Sequence, residues 1–180
     1  MVWTSPITFV AASILTAAQL NAHLRDNLLE TAPAKATTAG RIFVSTGANA
    51  IAERAITAAT IATSETTTST TFTDLTTAGP TITVTTGSQA IVFVAAQMSN
   101  LSETQSSFVS YLVSGATSNP ANVDRGAAHQ QRGNPSNQIT RVGSWSLMNL
   151  NPGSNTFTAK YSVDAGTGTF SNRFLLVIAL

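Results

Sequence analysis

Cysteine is absent from this sequence of 180 residues. That excludes disulfide staples, thiolate nucleophiles and cysteine-based zinc sites. Charge is nearly as scarce: 9% of residues are charged, the formal net charge is +1, and Lys35 and Lys160 are the only lysines. No basic run occurs, which argues against nucleic acid as a partner, because neutralising phosphates needs clustered Lys and Arg. Histidine is limited to His23 and His129. The stretch HLRD, His23–Asp26, places His and Asp three residues apart but lacks the further ligands of a metal site. There is no G-x-S-x-G elbow, and the eight carboxylates are scattered without an acid/base couple. The glycine-containing stretches STGANA and GTGTF lack the spacing of a phosphate loop. These absences predict a non-enzymatic protein with no cofactor and no metal.

Apolar runs of membrane length are missing too. ITFVAASILTAAQL is interrupted by Thr and Ser, is too short and polar to span a bilayer, and follows no basic segment. Neither a membrane partner nor a signal peptide is expected, and synthesis in a cytoplasm is.

What is present is 43% hydrophobic residues together with Ser and Thr at roughly a quarter of the chain, far above common usage. Low charge with this much apolar surface threatens the solubility of a free monomer. Two readings resolve the conflict: burial against copies or a larger assembly, and hydroxyls that keep the outer surface wet.

Residues 1–15, MVWTSPITFVAASIL, read as an extended arm. Pro6 biases Ser5 away from helical dihedrals, and Trp3, Ile7 and Phe9 have nothing local to bury them. The arm either docks on another subunit or folds back on its own domain. A helix follows in LTAAQLNAHLRDNLLE. Thr16 as N-cap and Gln19 three residues on form a T-x-x-Q capping box, and Leu15 with Leu20 make a hydrophobic staple. Leu20, Leu24 and Leu28 then fall at i, i+4 and i+8 on one narrow stripe, and Thr31 and Pro33 close the element. So short a helix does not hold alone in water. The narrow stripe suits a small bundle or a groove. APAKATTAG reads as a linker.

GRIFVSTGANAIAERAI predicts a strand, a Gly-Ala-Asn turn and a second short segment. The Thr-rich run after it favours extended structure, because Thr is β-branched, although such composition also suits disorder. From residue 60 onward, strands of five to ten residues alternate with turn signals, which predicts an all-β sandwich or barrel. Ala90–Met98 and Phe174–Leu180 are apolar without alternation and are expected to be covered on both faces. Ile139, Arg141, Trp145 and Leu147 fall on one face of another strand. NPGSN has the length of a hairpin turn, and TFTAKYSV alternates with Phe157, Ala159, Tyr161 and Val163 inward. The loop Gly115–Gln138 is long for a compact domain. Its Arg125, His129 and Arg132 are candidates for binding carbohydrate or a neighbouring subunit; a plain connection between sheets is the alternative.

MVWTSPITFVAASILTAAQLNAHLRDNLLETAPAKATTAG resembles the N-terminal module of small fibre-like and minor structural virion proteins of phages infecting actinobacteria. GRIFVSTGANAIAERAI is similar to a TGANALARLAI-type element of the same proteins, and NPGSNTFTAKYSVDAGTGTFSNRFLLVIAL resembles their closing β-hairpin. The likeness covers the first 56 residues and, more loosely, the last 30. Arg41 stands where an acidic residue is usual, and no shaft separates anchor from head. The resemblance implies a homotrimeric virion component. Its attachment arm (Trp3, Ile7, Phe9) would bury against the major capsid protein or another virion protein, and its oligomerisation helix (Leu20, Leu24, Leu28) would pack about a threefold axis. The expected architecture is mainly β: residues 1–39 as arm and helix, and 40–180 as an antiparallel jelly-roll-like β-sandwich, with 40–59 a possible connecting segment. The short form suits a capsid decoration protein or head fibre. A minor tail or receptor-binding protein, using the 115–138 loop on a host surface glycan, is the alternative.

Overall fold

The computed structural model describes residues 4–8, 10–132 and 139–180. The chain divides into two compact units, Met1–Ala55 and Ile56–Leu180.

In the first unit Thr16 starts a helix that runs as α1 (Ala17–Leu20), a π-helical turn (Asn21–Asp26) and α2 (Asn27–Leu29), followed by α3 (Ala32–Lys35). The Thr16 hydroxyl accepts from the Gln19 amide at 3.2 Å, and Gln19 Oε1 accepts from the Thr16 amide at 2.9 Å. Both halves of the capping box are therefore made. The widened turn was not expected from the sequence, and Asn27 marks its end. Its backbone N–H goes to the Leu24 carbonyl, while its side-chain Nδ2 donates to the carbonyl of His23 at 3.3 Å. Pro33 sits in the first turn of α3, where its missing N–H costs nothing. A two-stranded hairpin of β1 (Ile42–Gly47) and β2 (Ala50–Arg54) completes the unit. Asn49 takes the left-handed turn position at φ 55°, where Asn is among the few tolerant residues.

The stretch expected as a free linker is instead bonded to this hairpin. Glu53 accepts from the Thr37 amide (2.6 Å), the Thr37 hydroxyl (2.8 Å) and the Thr38 amide (3.3 Å). Lys35 Nζ pairs with Glu30 at 2.5 Å and donates to the Ile51 carbonyl at 3.4 Å. The segment 40–55 thus belongs with the N-terminal unit.

The second unit is an antiparallel β-sandwich. Its strands are β3 (Ile56–Ile61), β4 (Glu65–Thr67), β5 (Thr81–Thr86), β6 (Gln89–Asn100), β7 (Ser106–Gly115), β8 (Ala127–Gln130), β9 (Thr140–Asn149), β10 (Gly153–Val163) and β11 (Gly168–Ala179). One sheet has the order β5-β10-β7-β8. The other has the order β3-β11-β6-β9, with β4 also on β11. Successive strands from β5 to β11 pass from one sheet to the other except β7 to β8, which gives jelly-roll connectivity. The NPGSN segment is accordingly not a hairpin: β9 and β10 lie in different sheets, and the turn crosses between them.

Alternation drives this assembly. In β5 the pattern is strictly exposed then buried, and in β10 Asn155, Phe157, Ala159, Tyr161 and Val163 all point inward. Val92, Val94, Met98, Leu175 and Val177 of one sheet meet the inward residues Val109, Tyr111, Val113, Phe157 and Tyr161 of the other, all buried. Each large side chain so placed contributes on the order of 1.5–3 kcal/mol. Tyr161 and Phe170 pack with ring centroids 5.0 Å apart, bridging the sheets. Asn155 ties one end together, accepting from the Thr117 amide at 2.8 Å and donating to Thr86 Oγ1 at 2.8 Å.

A β-bulge interrupts the β11–β6 register between Ser171 and Phe174. Asn172 adopts φ 45° there, and the extra residue turns Arg173 inward, as bulges commonly re-aim a side chain. Arg173 is fully buried. Its guanidinium lies 5.5 Å from the Tyr161 ring centroid and donates to the carbonyls of Thr77 (2.9 Å) and Gly79 (3.4 Å).

Candidate functional site

The N-terminal unit carries apolar side chains without a core to hold them. Among its described residues only Asn27 and Ala55 are buried. Leu20, Leu24 and Leu28 are 40%, 56% and 65% exposed, so all three side chains lie open. Leu24 stands between two hollows. One, of about 150 Å³, is lined by Pro6, Ile7, Leu15, Leu20, His23 and Leu24; the other, of about 160 Å³, by His23, Leu24, Asn27, Leu28 and Thr31.

Ile7 is half-buried in the first hollow, so this part of the arm lies on the helix. Trp3 and Phe9 fall outside the described residues. The side chain that holds the arm was not picked out from the sequence. Asn27 Oδ1 accepts from the Thr4 amide and Nδ2 donates to the Thr4 carbonyl, both at 2.9 Å. An amide used this way mimics one rung of a β-ladder. The only sequence signal was a polar residue adjoining the stripe. Asp26, noted beside His23 as a ligand type, is paired with Arg25 at 2.7 Å. Among the described residues no group of three His, Cys, Asp or Glu side chains could hold a metal ion, and no helix is long and apolar enough to cross a membrane.

On the β-domain, an open groove of about 820 Å³ runs beside β7 and β10. Phe72, Phe108 and Leu112 supply apolar walls, Lys160 and Asp164 supply charge, and Val123 comes from the long loop. Lys160 Nζ is 2.6 Å from Asp74 Oδ2. The loop's three candidates do not line this groove. Arg125 lies 5.6 Å from the Tyr111 ring centroid and donates to the Pro120 carbonyl. His129 is buried, with Nε2 3.4 Å from Gln131 Oε1. Arg132 is exposed, with Nη2 3.5 Å from Gln130 Oε1. The loop is also not structureless: a 3₁₀ turn (Val123–Arg125) and β8 occupy its middle, because the small residues Ala127 and Ala128 pair with Val109 and Phe108 on β7. Residues 133–138 of it lie outside the described residues.

Elsewhere Glu65 is held below the usual carboxylate range. The Thr77 hydroxyl bond is the largest cause, working against desolvation and helped by the Thr77 amide and Arg173. Burial pushes the Tyr161 hydroxyl well up, so it stays protonated and donates to the Gly79 carbonyl at 2.9 Å.

No family model matches the chain, and no curated protein matches it in sequence. Among solved structures it is similar to Eiger TNF from S. frugiperda, at 14% identity and a TM-score of 0.45, over 71% of this chain and 94% of that one. It is similar to the VP2 subviral particle of infectious bursal disease virus, at 10% identity and a TM-score of 0.46, over 77% of this chain but 38% of that one. It is also similar to the CBM22-1 xylan-binding domain from Paenibacillus barcinonensis, at 13% identity and a TM-score of 0.36, over 79% and 88% of the two chains. These likenesses are of β-sandwich architecture.

Proposed function

We propose that the protein is a non-enzymatic structural component of a phage virion, a capsid-surface decoration protein or short head fibre, assembled as a homotrimer. The observation that carries this reading is the N-terminal unit, which sets an open leucine stripe between two hollows and buries almost nothing of its own. A segment of that kind gains stability only against another surface. Its N-terminal sequence likeness to phage virion modules supplies the nature of that surface: the major capsid protein or another virion protein. Trp3, Ile7 and Phe9 of the arm make the attachment, and Leu20, Leu24 and Leu28 of the helix pack against the other copies about the threefold axis. Three copies on one particle turn three weak contacts into one strong one.

The test is binding of the full chain to undecorated capsids by co-sedimentation, with Leu24→Asp as the variant. Loss of co-sedimentation, with the β-domain still folded by circular dichroism, is the expected result; undiminished binding overturns the anchor.

A second reading, host-surface recognition, is favoured by the groove beside β7 and β10. Phe72 and Phe108 give apolar walls of the kind on which a sugar ring packs, and Lys160, Asp74 and Asp164 give hydrogen-bonding charges. It moves the recognition surface away from Arg125, His129 and Arg132. Chemical-shift perturbation by host cell-wall oligosaccharides, mapped to Phe72 and Phe108, is its signature, and shifts confined to residues 125–132 would refute it.

A further inference from the structure

The geometry points to the outer face of the β3-β11-β6-β9 sheet as the interface between copies of this chain. The inference deepens the homotrimer named above by assigning the surface, and rests on that reading only for the number of copies.

Three rows of side chains cross the sheet in register. Ile56, Ile178, Ile91 and Leu147 form the first, Ala58, Leu176, Phe93 and Trp145 the second, and Thr60, Phe174, Ala95 and Gly143 the third. None of these twelve residues is ionisable. Their alternates on the same strands (Val92, Val94, Leu175, Val177) fill the sandwich core, so these rows face away from it. Trp145 is 72% exposed, Leu147 53% and Ile56 46%. The face is also ordered: the Phe93 and Phe174 rings meet edge to face at 5.8 Å.

Strands β6 and β11 are apolar on both sides, the pattern of strands covered on both faces, yet the facing sheet of the β-domain covers one. Trp145, Leu147 and Ile56, all exposed, gather on one face the large apolar side chains that a lone soluble protein seldom collects. The chemistry of the rows argues against three kinds of partner. A nucleic acid or a charged protein needs countercharge, and a glycan needs hydrogen-bonding groups; the rows offer one Thr hydroxyl, on Thr60. A second copy answers the face in kind. It has bulky Trp145 and Leu147 on edge strand β9 and small Ala58 and Thr60 on β3 at the other side, so the large edge of one copy has a small-residue strip on the next to lie upon. A contact between two different patches is the kind that closes a ring.

The experiment uses the full chain. Sedimentation equilibrium of the wild type, Trp145→Glu and Leu147→Glu gives the mass, and circular dichroism and thermal melting confirm folding. Because Trp145 and Leu147 are exposed in the protomer, the variants are expected to fold. The wild type should sediment as an oligomer, and each variant should raise the dissociation constant at least about thirtyfold, as loss of an interface hot spot does. Trp3→Phe leaves Trp145 as the sole tryptophan, and its emission should shift to the red when the oligomer is diluted apart. A monomeric wild type, variants that keep the wild-type mass, or Trp145 emission insensitive to dilution would each overturn the assignment. Leu24→Asp is scored separately on capsid binding. Loss of anchoring with the oligomer intact and loss of the oligomer with anchoring intact therefore indict different claims.

Discussion

Arg173 Nη2 lies 3.3 Å from Glu65 Oε2, joining a fully buried guanidinium on β11 to a carboxylate on the short strand β4. The same carboxylate accepts from the Thr77 hydroxyl at 2.6 Å and amide at 3.1 Å. The same guanidinium reaches the Thr77 and Gly79 carbonyls. Two segments that form no long strand pairings are thereby fastened to the central strand of the sheet. A buried guanidinium needs its charge answered, and Glu65 with the two carbonyls that accept from Nη1 does so at the Ser171–Phe174 bulge, although Nε and Nη2 make no hydrogen bond.

Glu65→Gln should lower the melting temperature by on the order of 5 °C or more at neutral pH, because the buried cation loses its countercharge. The pH dependence carries the sign. The folded-state value of Glu65 is lowered, chiefly by Thr77, so its contribution is complete above the unfolded carboxylate value and is lost as pH falls through the folded one. Calorimetry from pH 7 to 3 should therefore show the gap between wild type and Glu65→Gln closing toward acid. Parallel curves would remove Glu65 from this role.

Tyr161→Phe tests the other end of the network. The Gly79 carbonyl keeps its bond from Arg173 at 3.4 Å, so the cost should be modest, about 0.5–1.5 kcal/mol by urea denaturation. Because burial raises the folded-state value, Tyr161 stabilises fully below the ordinary tyrosine range near pH 10 and loses that contribution above it. The wild type should thus lose stability faster than Tyr161→Phe between about pH 9 and 11.

Much of this architecture was legible from residue patterns, because alternation and turn residues act locally. TFTAKYSV alternates, and its four apolar residues are buried in β10; T-x-x-Q predicts a capping box, and the box is formed. What the patterns could not carry was set by distant partners. Asn27 gains its role from Thr4, 23 residues away, and Glu65 from Arg173. The NPGSN turn has hairpin length whether its strands share a sheet or not, and only the pairing of β9 with β6 and of β10 with β5 and β7 decides it. The apolar runs of β6 and β11 predicted cover on two sides, where the facing sheet of the β-domain supplies one. Arg125 and His129 looked like binding groups because composition cannot tell an exposed polar loop from one folded onto Tyr111 and Gln131.

Asn27→Ala should release the arm without unfolding the β-domain. It removes both bonds to Thr4 and the bond to His23, worth about 1–3 kcal/mol together for a largely buried amide. Amide hydrogen exchange at residues 4–8 should accelerate by at least about tenfold, with protection in β6, β10 and β11 unchanged. Unaltered exchange at Thr4 would mean the arm is held by its apolar contacts alone.

Gly143 decides whether the outer sheet face keeps its shape. A Cβ there would come 2.8 Å from Phe93 Cζ, 3.0 Å from Ala95 Cβ and 3.1 Å from the Val94 carbonyl oxygen. The nearest of these atoms is the far end of a ring, which can swing aside, but the Ala95 Cβ and the Val94 carbonyl are fixed in the sheet, so Gly143→Ala should cost folding about 1–3 kcal/mol. The displaced ring would lose its edge-to-face contact with Phe174, itself worth about 0.5–1.5 kcal/mol beyond area. The second row of the face would be reshaped beside Trp145. Gly143→Ala should therefore weaken self-association as well as folding. Sedimentation equilibrium and urea denaturation on the same sample separate the two. A variant that unfolds more readily yet associates like the wild type would show that Gly143 serves the sheet and not the surface.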